Sequence, residues 1–307
     1  MRASVYHEYG GTEKLSVQEL PTPRVGPGTV LVRVRSASVN PVDWKVMAGG
    51  LDALLDPVFP ITPGWDVAGV VEAVGIDTPE LAAGDEVVAY ARKDALVGGT
   101  FAELVAVPVR AVARKPTSLS WDQAGALPLA GLTAYQSLTR LAVGAGDVVL
   151  VHGAAGGVGQ MAVQVAVALG ARVIGTASER NHELLRGFGA EPVAYGDGLV
   201  GRVRALAPEG VDVSLDLVGG VVAETRAVLR EDGRAASIAD PAVTTIGGAW
   251  LWARPDAEGL AALGRLADEG RLTVNVASVH PLDDVAGAFE QSMSGHVAGK
   301  VVVRVSQ

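Results

Sequence analysis

The run Asp147-Val148-Val149-Leu150-Val151-His152-Gly153-Ala154-Ala155-Gly156-Gly157-Val158-Gly159-Gln160 carries the clearest chemistry in the chain. Small residues at 154, 156 and 159 permit, in turn, a tight turn, a close approach of backbone to a pyrophosphate, and close helix-to-strand packing. A helix opening there presents free N–H groups and a favourable dipole, so Ala155, Gly156, Gly157, Val158 and Gly159 form the expected cradle of a dinucleotide. The end of the next strand selects the cofactor, because a carboxylate there holds a ribose 2'-hydroxyl. Here the strand Arg172 to Ala177 runs into Ser178-Glu179-Arg180-Asn181. A hydroxyl at Ser178 and a guanidinium at Arg180 suit a 2'-phosphate and favour NADPH over NADH. Ser178 equally suits the cap of a helix beginning near Glu179.

None of the five histidines falls in a catalytic constellation; His152 ends a strand, and His7, His182, His280 and His296 read as surface or strand-edge residues. The absence of a triad or an acid/base pair is consistent with cofactor chemistry, in which the protein mainly orients two rings and excludes water.

The elements that position these residues change character along the chain. Up to about residue 118, short apolar or alternating runs broken by Pro and Gly read as strands: 30–35, 67–74, 86–90 and 101–107. After Lys115-Pro116 comes a long helical stretch from about Asp122 to Leu141, then strands at 148–151, 172–176, 211–215 and 234–238, each followed by a helix. Strands alternating with helices imply a parallel doubly wound sheet. Beyond residue 254 the pattern predicts a helix (255–269), a strand (272–276), a helix (282–293) and a last strand (300–305) returning to the N-terminal β-rich part. The expected division is 1–118, 119–254 and 255–307, an α/β chain with a β-rich domain beside a Rossmann domain. No internal repeat or low-complexity segment is present.

The bulk properties agree. A chain of 307 residues, 49% hydrophobic and only 5% aromatic, suits strands buried on both faces by Ala, Val and Leu. A net charge of -9 argues against nucleic-acid binding, which needs clustered Lys and Arg. Without cysteine there is no disulfide or thiolate metal site. No signal-peptide block and no apolar run of about 18 residues occurs, so a cytoplasmic protein without a membrane partner is expected.

The turn at 154–159 followed by Gln160-Met161-Ala162-Val163-Gln164 resembles that of the zeta-crystallin-like quinone oxidoreductases, a zinc-independent branch of the medium-chain dehydrogenase/reductase superfamily. Other pieces agree in order: Ser38 to Lys45, Pro63 to Val71, Gly84 to Val87, Phe101 to Glu103, Leu129 to Ala134, and Gly299 to Val302. The resemblance implies a GroES-like catalytic domain wrapped around a Rossmann domain with the active site in the cleft between them, and hydride transfer from NADPH to a quinone or an α,β-unsaturated carbonyl. Zinc-dependent relatives carry Cys where this chain has Asn40 and Gly-His-Glu where it has Gly64-Trp65-Asp66, so no catalytic zinc is expected.

The resemblance also implies that Asn40 and Thr133 lie close to the nicotinamide and Tyr195 near the adenosine phosphate, with Val218 and Ile238 among the cofactor contacts. Asn40 also reads as a turn amide before Pro41, Thr133 as a residue bonded back to its own helix, and Tyr195 as a surface aromatic. At Lys45 several quinone reductases place a tyrosine of the substrate site; a lysine there either donates to a developing oxyanion or lies solvated beside Asp43. Trp44, Trp65, Trp250 and Trp252 are candidate pocket walls, and the last two are equally candidate dimer anchors. A homodimer is expected, with Thr244-Thr245-Ile246-Gly247 as a candidate edge strand. The alternatives are a zinc-independent alcohol or ketone reductase and a catalytically idle NADPH-binding protein.

Overall fold

A computed structural model of the chain describes residues 1–306 and divides it into two compact units. The first comprises Met1–Leu132, Arg254–Gly270 and the chain from Val274 onward; the second comprises Thr133–Ala253 with Arg271–Thr273.

The first unit opens with β1 (Arg2–Val5), β2 (Ser16–Glu19), β3 (Thr29–Ser38), α1 (Pro41–Met47), β4 (Asp56–Pro57) and β5 (Asp66–Val74). It continues through β6 (Glu86–Tyr90), β7 (Ala95–Leu96), β8 (Leu104–Pro108), β9 (Val112–Arg114) and α2 (Trp121–Ala126). Helix α3 (Pro128–Arg140) holds the boundary. The second unit contains β10 (Val148–His152), α4 (Gly157–Ala168), β11 (Arg172–Thr176), α5 (His182–Gly187), β12 (Ala190–Val193) and α6 (Leu199–Leu206). It ends with β13 (Val211–Asp216), α7 (Val222–Val228), β14 (Leu229–Ser237) and β15 (Ala249–Trp250). The chain then supplies α8 (Ala257–Asp268), β16 (Val276–Pro281), α9 (Val285–Met293) and β17 (Lys300–Arg304) to the first unit.

In the first unit a seven-stranded sheet runs β16-β17-β3-β5-β6-β9, with β8 also on β3. Strand β17 pairs antiparallel with β3, Val302 opposite Ser38. The apolar residues Val301 to Val303 are at most 3% exposed, so this late strand closes a core that β3 and β5 cannot cover alone. In the second unit the strand order β12-β11-β10-β13-β14-β15, parallel throughout, is the 3-2-1-4-5-6 order of a dinucleotide fold. Its central strand is apolar on both faces: Val149, Leu150 and Val151 are fully buried.

Several elements differ from the sequence expectation. The single helix expected over 122–141 is two, because Pro128 has no amide to donate and its ring disrupts a continuous ladder. Of the stretch 272–276 only Val276 is strand: Gln164 takes both the amide and the carbonyl of Thr273, satisfying the backbone without a ladder, and pairing begins only at Val276. Thr244-Thr245-Ile246 lies in a 3-10 helix (Pro241–Ile246) capped by Asp240, so the candidate edge is misplaced; the edge strand on that side of the sheet is β15. Strand β12, with Pro192 and Glu191 in it, was not foreseen.

Candidate active site

In the second unit the glycine turn is tied to its neighbours by backbone and side-chain bonds. Gly153 donates its amide to Thr176 Oγ1 at 3.0 Å, and Ala154 donates to the Thr176 carbonyl at 3.0 Å, so the end of β11 fixes the turn that follows β10. A Cβ at Gly159 would sit 2.2 Å from the Gly153 carbonyl oxygen, and only glycine lets α4 approach that closely. Gly156 occupies the N-cap of α4 and offers no side-chain cap, which leaves the first amides of the helix for an anion. Gln160, 2% exposed, donates to the Ala155 carbonyl at 2.7 Å, while its own Oε1 is buried without a partner among the described residues.

The neighbouring strand ends complete this wall. Asp216, at the end of β13, accepts from the amides of Val218 and Gly219 at 2.9 Å and from Ser237 Oγ at 2.7 Å, while its carbonyl accepts from Ile238. Val218 and Ile238 are thereby held at the carboxyl ends of β13, which flanks β10, and of β14 beyond it, on the side of the sheet where open α/β folds bind ligands. Ser178 stands at the N-cap of a 3-10 turn but makes no cap bond; its Oγ accepts from Asn181 at 3.2 Å, and its hydroxyl proton remains to donate. Arg180 is exposed with no ion pair among the described residues, and Glu179 beside it is exposed too. These features fit a dinucleotide: amides for the diphosphate, glycines where a side chain would intrude, and no carboxylate at the ribose position. Tyr195 is 65% exposed just after β12. Thr133 is buried on α3. His152 is buried, 3.3 Å from Thr225 Oγ1, and burial pushes its imidazole toward the neutral form.

In the first unit Asn40 is 2% exposed and its side chain is fully engaged. Its Nδ2 donates to Asp66 Oδ2 at 2.8 Å, and its Oδ1 accepts from Lys300 Nζ at 2.6 Å. Lys300 also donates to the Val39 carbonyl at 2.8 Å and lies 4.0 Å from Asp66. Asp66 accepts in addition from Ser38 Oγ and, through Oδ1, from the amide of Leu129 at 2.7 Å. Asp43 accepts from the Asn40 amide at 2.7 Å, closing a capping box at the start of α1. One buried lysine thus joins the ends of β3, β5, β17 and the opening of α3. Burial pushes Asp66 up and Lys300 down, each toward its neutral form, against their mutual attraction. Burial pushes Asp43 up to about 7, opposed by the Asn40 amide.

The other sequence candidates are scattered. Lys45 is exposed and stacks over the Trp44 ring at 5.5 Å; Asp43 is buried, so the two do not lie solvated together. Trp44 donates to Ser292 Oγ at 3.3 Å and packs, partly buried, against the core of the first unit. Trp65 lines a small cavity and meets Tyr90 at 6.1 Å. Trp250 and Trp252 form an exposed edge-to-face pair 6.5 Å apart. Sequence reasoning did not foresee the roles of Asp43, Asp66, Lys300, Thr176 and Asp216. Polar residues inside apolar strand patterns were the available signal. Among the described residues no group of three or more His, Cys, Asp or Glu side chains could hold a metal ion.

The family model described as the alcohol dehydrogenase GroES-like domain matches residues 26–117, and that described as zinc-binding dehydrogenase matches residues 188–303. The chain is 35% identical to an NADPH-dependent alkenal/one oxidoreductase of Arabidopsis thaliana, over 99% of this chain and 79% of that protein. It is 32% identical to a chloroplast envelope quinone oxidoreductase homolog of the same plant, over 99% of this chain and 98% of that protein. The quinone oxidoreductase of Coxiella burnetii superposes with a TM-score of 0.87 at 33% identity, covering 100% of this chain and 99% of that one. Sequence motifs, strand order and relatives over nearly the full length agree: the chain belongs to the medium-chain dehydrogenase/reductase family, in its quinone oxidoreductase branch.

Proposed function

We propose that this chain reduces quinones or α,β-unsaturated carbonyls at the expense of NADPH. The observation that carries the reading is the uncapped, glycine-opened α4 at the switch point of a 3-2-1-4-5-6 sheet, with Ser178 and Arg180 in place of a ribose-binding carboxylate. When bound, NADPH supplies the hydride. The chain's own work is to hold and orient: the amides of Gly157 to Gly159 face the diphosphate, Ser178 and Arg180 read the 2'-phosphate, and Val218 and Ile238 pack against the cofactor. Tyr195 stands for the adenosine end. Asn40, tied to Asp66 and Lys300, is assigned to keep the β3, β5 and α3 termini in fixed geometry, and Thr133 and Lys45 complete the candidate set.

The test is oxidation of NADPH against an acceptor panel. Turnover with quinones or enones but not with simple ketones supports the reading; tight NADPH binding with no turnover on any acceptor sinks it. A homodimer joined through β15, where Trp250 is 48% exposed, goes with this proposal and is checked by sedimentation. The domain division 1–118, 119–254 and 255–307 is proposed as the functional one. No helix among the described residues is long and apolar enough to cross a membrane. A cytoplasmic location is part of the proposal, and cell fractionation checks it.

A further inference from the structure

Arg202, on α6 of the second unit, makes three bonds that the cofactor reading above does not use. Its Nε donates to the Ala194 carbonyl at 3.0 Å, and its Nη2 donates to the carbonyls of Tyr195 at 3.4 Å and Gly196 at 3.2 Å. One planar guanidinium thus holds three consecutive carbonyls of the loop that follows β12, a task suited to its rigid fork of donors. The side chain is partly buried and makes no ion pair among the described residues, so this loop is its partner.

Little else fixes the loop. Gly196 and Gly198 have φ of 83° and 76°, and glycine passes between positive and negative φ with ease. The amides of Tyr195, Gly196 and Asp197 make no hydrogen bond among the described residues; the backbone bonds of the loop run from Leu199 to the Gly196 carbonyl at 3.0 Å and from Arg202 to the Gly198 carbonyl at 3.2 Å.

The same loop presents Tyr195 at the ribose corner. Strands β11 and β12 pair in parallel with Thr176 opposite Val193, and Ala177 donates to the Val193 carbonyl at 3.0 Å. Ser178 and Tyr195 therefore each stand two residues beyond paired positions at the carboxyl ends of neighbouring strands. Thr176 also fixes the glycine turn through the Gly153 amide, which ties this corner to the diphosphate cradle within one unit. Tyr195 is 65% exposed, and its hydroxyl has no partner among the described residues. A side chain that exposed is held in place through its backbone.

We propose that Arg202 is a positioning residue for NADPH selectivity: it pins the loop after β12 so that the Tyr195 hydroxyl stays beside Ser178 and donates to the 2'-phosphate. The inference rests on the NADPH-dependent reductase reading given above. Arg202 itself touches no cofactor atom; it acts through Tyr195.

The experiment uses the full chain and the variants Arg202→Met, Arg202→Lys, Tyr195→Phe and the double Arg202→Met/Tyr195→Phe. Calorimetry with adenosine 2',5'-bisphosphate and with 5'-AMP reads the 2'-phosphate without turnover, and steady-state reduction of a 2-alkenone gives kcat and the KM for each nucleotide. Arg202→Met is expected to weaken the bisphosphate about tenfold, on the scale of one charge-assisted hydrogen bond, with partial recovery in Arg202→Lys. The KM for NADPH should rise in step while kcat at saturation, 5'-AMP affinity and the KM for NADH stay near wild type. Tyr195→Phe should give a similar selective loss, and the double variant should lose little more than either single one, because both changes remove the same contact. Equal losses for bisphosphate and 5'-AMP would show a merely structural arginine, and wild-type affinity in Arg202→Met or additive losses in the double variant would equally overturn the assignment. If the wild type binds the bisphosphate through these residues yet reduces no acceptor, the positioning role stands and the reductase reading falls; if it binds neither the bisphosphate nor NADPH, both fall.

Discussion

Replacing Lys300 with methionine removes the only cation of the buried network while keeping most of the side chain's volume. Lys300 is 5% exposed and Asp66 is fully buried, with their charged atoms 4.0 Å apart. At that distance two unit charges interact by about 4 kcal/mol at an effective dielectric near 20. Stripping one partner from a buried pair costs about 3 to 5 kcal/mol, because the other charge is left desolvated. The bonds to Asn40 Oδ1 and the Val39 carbonyl vanish with it, so the amide of Asn40 loses its orientation.

Against a total stability of roughly 5 to 15 kcal/mol, the expected loss is a large drop in urea midpoint, followed by circular dichroism. Without Lys300, Asp66 is pushed further above its unfolded value. A raised carboxyl favours the folded state at low pH and loses that contribution as pH rises through its folded pKa, so the variant's deficit should shrink on acidification. Adding Asp66→Asn should recover most of the loss. A cost below about 1 kcal/mol for Lys300→Met, or a double variant worse than the single one, would refute the assignment of this lysine as counter-charge.

Three further outcomes are expected. Arg180→Ala should weaken NADPH by about 1 to 3 kcal/mol, at the lower end because the guanidinium is exposed, and leave NADH nearly unchanged; equal losses in a fluorescence titration would exclude a 2'-phosphate role. Gly159→Ala places a methyl 2.2 Å from the Gly153 carbonyl, so α4 must shift outward and both nucleotides should bind at least roughly tenfold more weakly; calorimetry showing wild-type affinity would contradict the close-packing role. Asp43 holds its proton up to about 7 in the folded chain against an ordinary carboxyl value of 3.8, so it contributes a fall in stability as pH rises through that window. Asp43→Asn should remove this part of the slope in urea midpoints across pH, leaving the share of Asp66 and Lys300; an unaltered slope would show that Asp43 does not titrate there.

The nucleotide-binding half of the candidate site is legible in the sequence because its chemistry is local. A strand, small residues at 154, 156 and 159, and a helix follow one another within one stretch, and the close contact at Gly159 is with Gly153, six positions back. The same locality made Ser178 and Arg180 visible, since they follow the next strand directly. Strand order, the break at Pro128 and the Gln164 bonds that keep Thr273 out of a ladder were less readable, because backbone groups are satisfied by partners that periodicity does not name. The closing strand reads as an apolar run, but its lysine was opaque. Lys300 meets Asn40 across 260 positions, and Asn40 meets Asp66 across 26. Tyr6 and Lys93 likewise line one cavity only because β1, β7 and the loops after β6 converge. Composition and spacing therefore determined that this chain builds a dinucleotide cradle without thiolate ligands. Which polar side chains lie desolvated together was decided by tertiary packing, since burial and pairing depend on distances in space that the linear order does not encode.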